Sequence, residues 1–145
     1  MTLRIRPARR DDLAAVTELL TTAGLPLAGV AESFGGFVVA EAGGRQVAAA
    51  GLERHGDVGL LRSVVVDPAF RGTGLGASLT EQMLTRAQRE RLKSVYLLTT
   101  TAAEFFPRFG FHRIERAQLP AAINQSEELR GACPETAVVM VRELR

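Results

Sequence analysis

The segment SVVVDPAFRGTGLGASL, residues 63–79, constrains the fold of this 145-residue chain more than any other segment. Its three valines predict a buried strand. Pro68 marks where that strand ends, because proline cannot donate to a strand ladder. From Gly74 onwards apolar residues recur every four positions, which is typical of an amphipathic helix. The segment is therefore a strand-to-helix junction with three glycines at alternate positions.

The glycines of RGTGLG predict a phosphate-binding loop at this junction. The first turn of a helix presents unpaired N–H groups, and glycine lets a phosphate approach them closely. A turn by itself needs at most one of the glycines, so a ligand is favoured over a bare turn. A P-loop is excluded, because Ala77 and Ser78 follow the last glycine in place of Lys-Ser/Thr. A dinucleotide-binding loop is disfavoured, because DPAFR separates the strand from the glycines and the next strand ends in LLTTT.

The rest of the chain predicts one mixed α/β layer structure in a single domain, residues 1–145. Strands are expected at LRIR, FVVAE, QVAAAGLER, VGLLRSVVV, SVYLLTT, FHRIER and TAVVMVREL. A first helix should begin after a capping Asp11 or Asp12 and end at Gly24. A short helix is expected where TAAE, from Thr101, fits a capping box. LPAAINQSEELRG reads as a further helix with Pro120 at its start.

Composition and charge exclude several classes of protein. Hydrophobic residues make up 46% and charged residues 23% of the chain, which is typical of a globular protein. No apolar run reaches the length of a membrane span, and the N-terminus lacks the apolar core of a signal peptide, so a cytoplasmic protein is expected. A net charge of +2 does not indicate nucleic acid. The single cysteine, Cys133, provides no internal disulfide and no Cys-based cluster, and no metal is expected.

Two motifs carry a family resemblance that covers almost the whole chain. VVVDPAFRGTGLGASL resembles the acyl-CoA-binding motif of the GNAT family of N-acetyltransferases, Arg/Gln-x-x-Gly-x-Gly/Ala, with Arg71, Gly74 and Gly76 as the matching residues. AAEFFPRFGF is similar to the family's second signature, Phe-Tyr-x-x-x-Gly-Phe. The resemblance implies a central, mostly antiparallel sheet flanked by helices, in which the strand before the glycines splays from its neighbour.

The resemblance also implies acetyl-CoA as co-substrate. The valines before the glycines would line the pantetheine arm, and the N–H groups of the glycine loop would hold the pyrophosphate. A buried strand is rich in valine in any case, so packing explains the valines equally well. A solvated helix face is an equal alternative for Arg108. The residues implied for binding are Val64, Val65, Val66, Arg71, Gly72, Thr73, Gly74, Leu75, Gly76, Ala77, Phe106 and Arg108.

Acetyl transfer to an amine by direct attack through a tetrahedral intermediate requires a base. A primary ammonium has a pKa of about 10, so its proton must be removed directly or through water. Glu53 is the candidate base and His55 the second choice. Many family members carry a tyrosine as the acid where this chain has Phe106. The thiolate, whose ordinary pKa is about 8.5, is therefore expected to leave unaided or to be protonated by water.

The acceptor is expected to be a small amino-acid-like amine. YLLTTTAAEFF and CPETAVVM resemble N-acetyltransferases associated with arsenic resistance and the acetyltransferase domain of N-acetylglutamate synthases. This narrower resemblance extends the acceptors to arsenic- or phosphorus-containing glutamate analogues. Arg62 could grip a substrate carboxylate or pair with Glu53 or Glu41 across the meander. Glu32 and Phe34 are further substrate candidates in a loop that could equally be plain surface.

Other functions stay open at this level. The absent tyrosine hydroxyl, and Arg62 where many family members place a glutamate, leave a non-catalytic acyl-CoA-binding sensor or partner module as the alternative. A dinucleotide-binding domain would bind NAD instead. The family also suggests a homodimer through the last strand, TAVVMVREL, although an ordinary central strand explains that segment too.

Overall fold

The computed structural model describes residues 2–126 and 136–144. Its helices are α1 (Leu13–Ala23) and α2 (Leu75–Arg89), and its strands are β1 (Leu3–Pro7), β2 (Phe37–Ala42), β3 (Arg45–His55), β4 (Val58–Val66), β5 (Ser94–Thr99), β6 (His112–Ile114) and β7 (Val138–Glu143). The strands form one sheet in the order β1-β2-β3-β4-β5-β7-β6. Every neighbouring pair is antiparallel except β4 and β5. The predicted mixed, mostly antiparallel sheet is confirmed.

Helix α1 covers one face of the sheet and confirms the first predicted helix. Val16 and Leu20 are fully buried, and Gly24 ends the helix in the left-handed conformation that glycine favours. Asp12 is the N-cap residue, as predicted, but its side chain makes no capping hydrogen bond to this helix. Its carboxylate accepts hydrogen bonds from the buried Arg6 guanidinium at 2.8 and 2.9 Å. A charged partner in the interior is a stronger donor than a helix N–H.

Helix α2 covers the opposite face. The four apolar residues whose spacing predicted it, Leu75, Leu79, Met83 and Ala87, are all buried. They pack in the main core cluster with residues of β3, β4 and β5. No helix in the described ranges is long and apolar enough to cross a membrane.

Strands β4 and β5 separate after a short paired segment. Their pairing covers only three residues of each strand, Val58 to Leu60 against Ser94 to Tyr96. Beyond that point β4 stays paired with β3, and β5 stays paired with β7. We call the opening between residues 61–66 of β4 and residues 97–99 of β5 the wedge. The splayed strand implied by the resemblance is confirmed.

The short helix predicted at TAAE is wrong in position and cap. Those residues form a turn, and a single 3-10 helix follows at Phe106–Phe109. The Ala102 N–H donates to the Thr99 hydroxyl at 2.9 Å, so Thr99 caps this turn in place of Thr101. Gly110 ends the short helix with a φ of +88°, as the sequence predicted.

The segment after β6 is not an α-helix in its described part. It contains two 3-10 turns, Arg116–Gln118 and Ile123–Gln125. Leu119 and Ile123 are buried with Val58 and Leu60 of β4 on the same face as α1. The remainder of the helix predicted for LPAAINQSEELRG, together with Cys133, lies outside the described residues.

Strand β7 is paired on both sides, with β5 and with β6. The edge strands of the described sheet are β1 and β6. The backbone of β7 therefore cannot add a strand from a second copy, and the homodimer suggested for this segment stays a prediction that would have to use side chains or another surface.

Candidate functional site

A cleft of about 840 Å³ occupies the wedge. Its walls are residues 61–66 of β4, the glycine loop (residues 71–76), the end of β5, the short helix at Phe106–Phe109, and the chain just after α1. All the residues expected to bind CoA line this cleft except Thr73. The Thr73 hydroxyl instead donates to the Phe70 carbonyl oxygen at 2.6 Å. The structure thus brings the expected residues together around one cavity.

The three glycines of the loop are present for different reasons. Gly72 and Gly74 have φ values of +79° and +82°, a conformation that favours glycine. The expectation that a turn needs at most one glycine is therefore wrong. Gly76 lies in the first turn of α2 without a positive φ, and an added Cβ would be 3.6 Å from Phe105 and Val66. Neither conformation nor packing requires glycine at position 76. The remaining physical reason for a glycine there is the close approach of a ligand phosphate to the helix backbone.

The loop also offers the donors that an anion requires. Helix α2 begins at Leu75, and its N-cap residue, Gly74, has no side chain to cap the first N–H groups. Arg71 lines the cleft beside them, and Arg108 lies on the short helix opposite. The Arg108 guanidinium stacks on the Phe105 ring at 4.9 Å and donates to the Phe105 carbonyl oxygen at 3.0 Å. These groups fit a pyrophosphate at the helix N-terminus.

Strand β4 contains a β-bulge where it lines the cleft. The register with β3 shifts between the pair Ala49–Val65 and the pair Gly51–Arg62, so two residues of β4 oppose one of β3. Ser63 begins the bulge with a φ of +59°. The sequence does not indicate a role for this residue, because a serine within a strand pattern gives no signal of a bulge. Bulges of this kind redirect backbone and side chains next to functional sites.

Arg62 is buried, and its guanidinium connects β4 with β3 and with the chain after α1. It donates to the Glu53 carboxylate at 2.8 Å, to the Ser63 hydroxyl at 3.0 Å and to the Pro26 carbonyl oxygen at 3.3 Å. Its side chain has no exposed area and it lines the cleft. The pairing with Glu53 is one of the two interpretations that the sequence allowed. Glu41 pairs with Arg6 instead.

Glu53 is buried at the end of β3 and accepts hydrogen bonds from several side chains. The Ser126 hydroxyl donates to Oε1 at 2.8 Å, and His55 Nε2 lies 2.7 Å from the same oxygen. Burial by itself raises the pKa of Glu53, but the hydrogen bonds from Arg62, His55 and Ser126 outweigh it, so the pKa lies below its usual value. The carboxylate is therefore ionised at neutral pH.

The other predicted site residues are divided between the cleft and other parts of the fold. Glu53, His55 and Glu32 line a separate recess of about 490 Å³ and are not among the residues that line the cleft. Phe34 is buried in the cluster beneath α1, with its ring centroid 5.1 Å from that of Phe37. Phe106 lines the cleft as a buried ring. Their roles in catalysis and substrate binding stay predictions.

Comparison with protein families identifies the domain. Residues 33–113, more than half of the chain, match the family model described as an acetyltransferase (GNAT) domain. An amino-acid acetyltransferase from Pseudomonas fluorescens strain Pf0-1 is 38% identical over 88 residues, which are 59% of this chain and 20% of that protein. A second amino-acid acetyltransferase, from Mycobacterium tuberculosis, is 39% identical over 46% of this chain and 38% of its own length. The chain thus spans less than half the length of these curated relatives.

Solved structures show the same fold. Rv2747 from Mycobacterium tuberculosis, in complex with CoA, superposes with a TM-score of 0.82 at 29% identity, over 98% of this chain and 99% of that one. The N-acetylglutamate synthase from Neisseria gonorrhoeae, complexed with coenzyme A and N-acetyl-glutamate, gives a TM-score of 0.84 at 21% identity. That match covers all of this chain and 36% of the synthase. At this lower identity the likeness shows the fold alone.

Proposed function

The chain belongs to the GNAT family of acetyltransferases, and on that premise we propose that it transfers an acetyl group from acetyl-CoA to the primary amine of a small, amino-acid-like molecule. The observation that carries this proposal is the wedge, where an unpaired strand edge leads into a glycine loop at a helix N-terminus. The relatives named amino-acid acetyltransferases support the class of acceptor.

The residues of the cleft fit acetyl-CoA in both shape and charge. The N–H groups of the glycine loop, with Arg71 beside them, would hold the pyrophosphate. The edge of β4 that faces the wedge would pair with the amide groups of the pantetheine arm, as a neighbouring strand does. Acetyl-CoA supplies the activated acyl group, and the protein supplies its position, the exclusion of water and the handling of protons.

Proton removal from the amine is proposed to involve Glu53, with His55 as the second candidate. Glu53 is ionised at neutral pH, which is the state that a base requires. It is also engaged by Arg62, His55 and Ser126, so it would act on the amine through a water or after a rearrangement of these bonds. Phe106 has no hydroxyl to protonate the leaving thiolate, which agrees with departure unaided or with help from water.

The first experiment is thermal unfolding of the purified chain with acetyl-CoA, CoA and NAD side by side. A ligand that binds only the folded protein raises the melting temperature by mass action. We expect both CoA compounds to raise it and NAD to leave it unchanged. The absence of any shift at millimolar CoA or acetyl-CoA would contradict the proposal.

A thiol-release assay then identifies the acceptor. The screen covers amino acids and arsenic- or phosphorus-containing glutamate analogues, with acetyl-CoA present throughout. Thiol release that depends on one of these amines supports the enzyme. Binding of acetyl-CoA without thiol release for any amine would favour the acyl-CoA-binding sensor.

A further inference from the structure

Ser63 occupies a backbone conformation that a serine adopts at a cost. Its φ of +59° lies in the left-handed region, where glycine is unstrained and a side chain is disfavoured. Glycine at this position would allow the same β-bulge without the strain. Strain retained beside a cleft is a reason to look for a function of the side chain.

The Ser63 hydroxyl is held in a defined orientation by Arg62. The Arg62 Nε–H donates to the Ser63 Oγ at 3.0 Å, and arginine has no acceptor, so the serine oxygen accepts in this bond. The guanidinium is itself fixed by Glu53 and by the Pro26 carbonyl oxygen. The serine proton is left to donate elsewhere, and no described residue accepts it. Ser63 lines the cleft and is itself only 8% exposed, so a ligand in the cleft is a possible acceptor for this proton.

The position of Ser63 along β4 is where the reactive end of acetyl-CoA would lie if the pyrophosphate binds the glycine loop. With the pyrophosphate at the glycine loop, the pantetheine arm would run along β4 away from α2, past Val66 and Val64, which line the cleft. The thioester follows the pantetheine arm in the ligand. Ser63 is the next residue after Val64 and lies three residues, or about 10 Å, from Val66.

We propose that the Ser63 hydroxyl donates a hydrogen bond to the acyl oxygen of bound acetyl-CoA, and that Arg62 is the positioning residue that aims it. This inference rests on the acetyl-CoA function proposed above. The acyl oxygen gains negative charge when the amine attacks, and a donor that is already oriented stabilises that charge without reorganisation. No covalent bond forms with serine and its proton stays on Oγ.

The test compares acetyl-CoA with S-ethyl-CoA, a thioether of nearly the same size that lacks the acyl oxygen. Affinities of both are measured by calorimetry for the wild type, Ser63→Ala and Ser63→Gly. We expect each variant to bind acetyl-CoA about five- to tenfold more weakly, the effect of one hydrogen bond, and S-ethyl-CoA within about twofold of the wild type. The loss should be specific to the ligand that carries the oxygen.

The two variants separate the effect of losing the Ser63 hydroxyl from the effect of relieving the backbone strain. Both variants lose the hydrogen bond from Arg62, but only glycine relieves the positive φ, so Ser63→Gly should melt at a higher temperature than Ser63→Ala. An equal loss of acetyl-CoA affinity in both variants, despite their different stabilities, supports the proposal. An unchanged ratio of the two affinities in both variants would overturn the Ser63 assignment and leave the acetyltransferase function standing. A wild type that binds neither CoA compound would refute the function and this inference together.

Discussion

At the scale of single residues, Glu53 is the buried carboxylate whose negative charge is expected to stabilise the fold around the site. Its carboxylate lies 2.8 Å from the guanidinium of the fully buried Arg62 side chain. Its pKa in the folded protein lies below the ordinary value of 4.5, because three side-chain hydrogen bonds outweigh the effect of burial. A group with a depressed pKa stabilises the fold above its ordinary pKa and loses that contribution as the pH falls through the folded pKa.

We predict that Glu53→Gln lowers the free energy of unfolding at pH 7 by about 3 kcal/mol, because it removes the carboxylate that accepts a hydrogen bond from the buried Arg62 guanidinium. The deficit should shrink below about pH 4.5, where the wild type begins to lose the same contribution. Urea unfolding from pH 7 to pH 3 measures both. Glu32→Gln is the matched control, since Glu32 is an exposed carboxylate of the same recess. A deficit that does not depend on pH would show that the charge is not what stabilises the fold.

The same variant tests the proposed base. Loss of a general base lowers the rate about 100-fold or more and removes the acid limb of the pH dependence of kcat/KM. If Glu53 only anchors Arg62, the substitution lowers stability and weakens substrate positioning. The acid limb of the kcat/KM profile is then retained. The pH profile of Glu53→Gln, measured below its melting temperature once an acceptor amine is known, distinguishes these roles.

At the scale of elements, the close packing of the loop before β2 against β3 requires a glycine at position 36. A Cβ on Gly36 would overlap the Leu52 carbonyl oxygen, which is backbone and cannot move aside. A Cβ on the adjacent Gly35 would have nothing within 4 Å. We predict that Gly36→Ala lowers the free energy of unfolding by about 2 kcal/mol or more and that Gly35→Ala changes it by less than about 0.5 kcal/mol. Chemical denaturation of the pair measures this, and equal effects would contradict the close approach.

The first turn of α2 offers a change that separates stability from binding. Gly76 is helical and has room for a methyl group, so Gly76→Ala should stabilise the helix by up to about 1 kcal/mol. The same methyl group would project where a phosphate must approach the backbone. We predict a melting temperature equal to or above that of the wild type and an affinity for CoA at least about tenfold weaker, measured by calorimetry. Unchanged affinity would show that no ligand comes close to position 76.

Local pattern predicted the elements well, and tertiary contacts decided the rest. The periodicity of α2 and the alternation of the strands could be read from the sequence, because each depends on neighbours a few residues away. The TAAE cap was wrong because the chain turns two residues earlier, where the Thr99 hydroxyl accepts a hydrogen bond from the Ala102 N–H. The bulge at Ser63 could not be foreseen, since it is fixed by pairing with β3. The bond from Ser126 to Glu53 joins residues 73 positions apart, which no local pattern reports.

At the scale of the whole molecule, the sheet consists of two groups of strands with a narrow connection. The first four strands form one antiparallel group, and β5, β7 and β6 form the other. Between the groups, β4 and β5 share three paired residues, and α2 packs across both. A ligand in the wedge would touch both groups at once. Binding of CoA is therefore expected to couple them where the sheet is open.

Hydrogen exchange provides the test of this coupling. Amides that face the wedge exchange through local solvent contact, whereas core amides of β2 exchange through larger openings. We predict that CoA protects residues 61–66, 71–76 and 97–102 within minutes of exchange, while residues 37–42 change only at long times as overall stability rises. NAD at the same concentration is the control and should protect neither region. Early protection spread evenly over all the strands, or confined to β1 and β2, would place the ligand outside the wedge, because only a ligand between β4 and β5 shields both of their open edges.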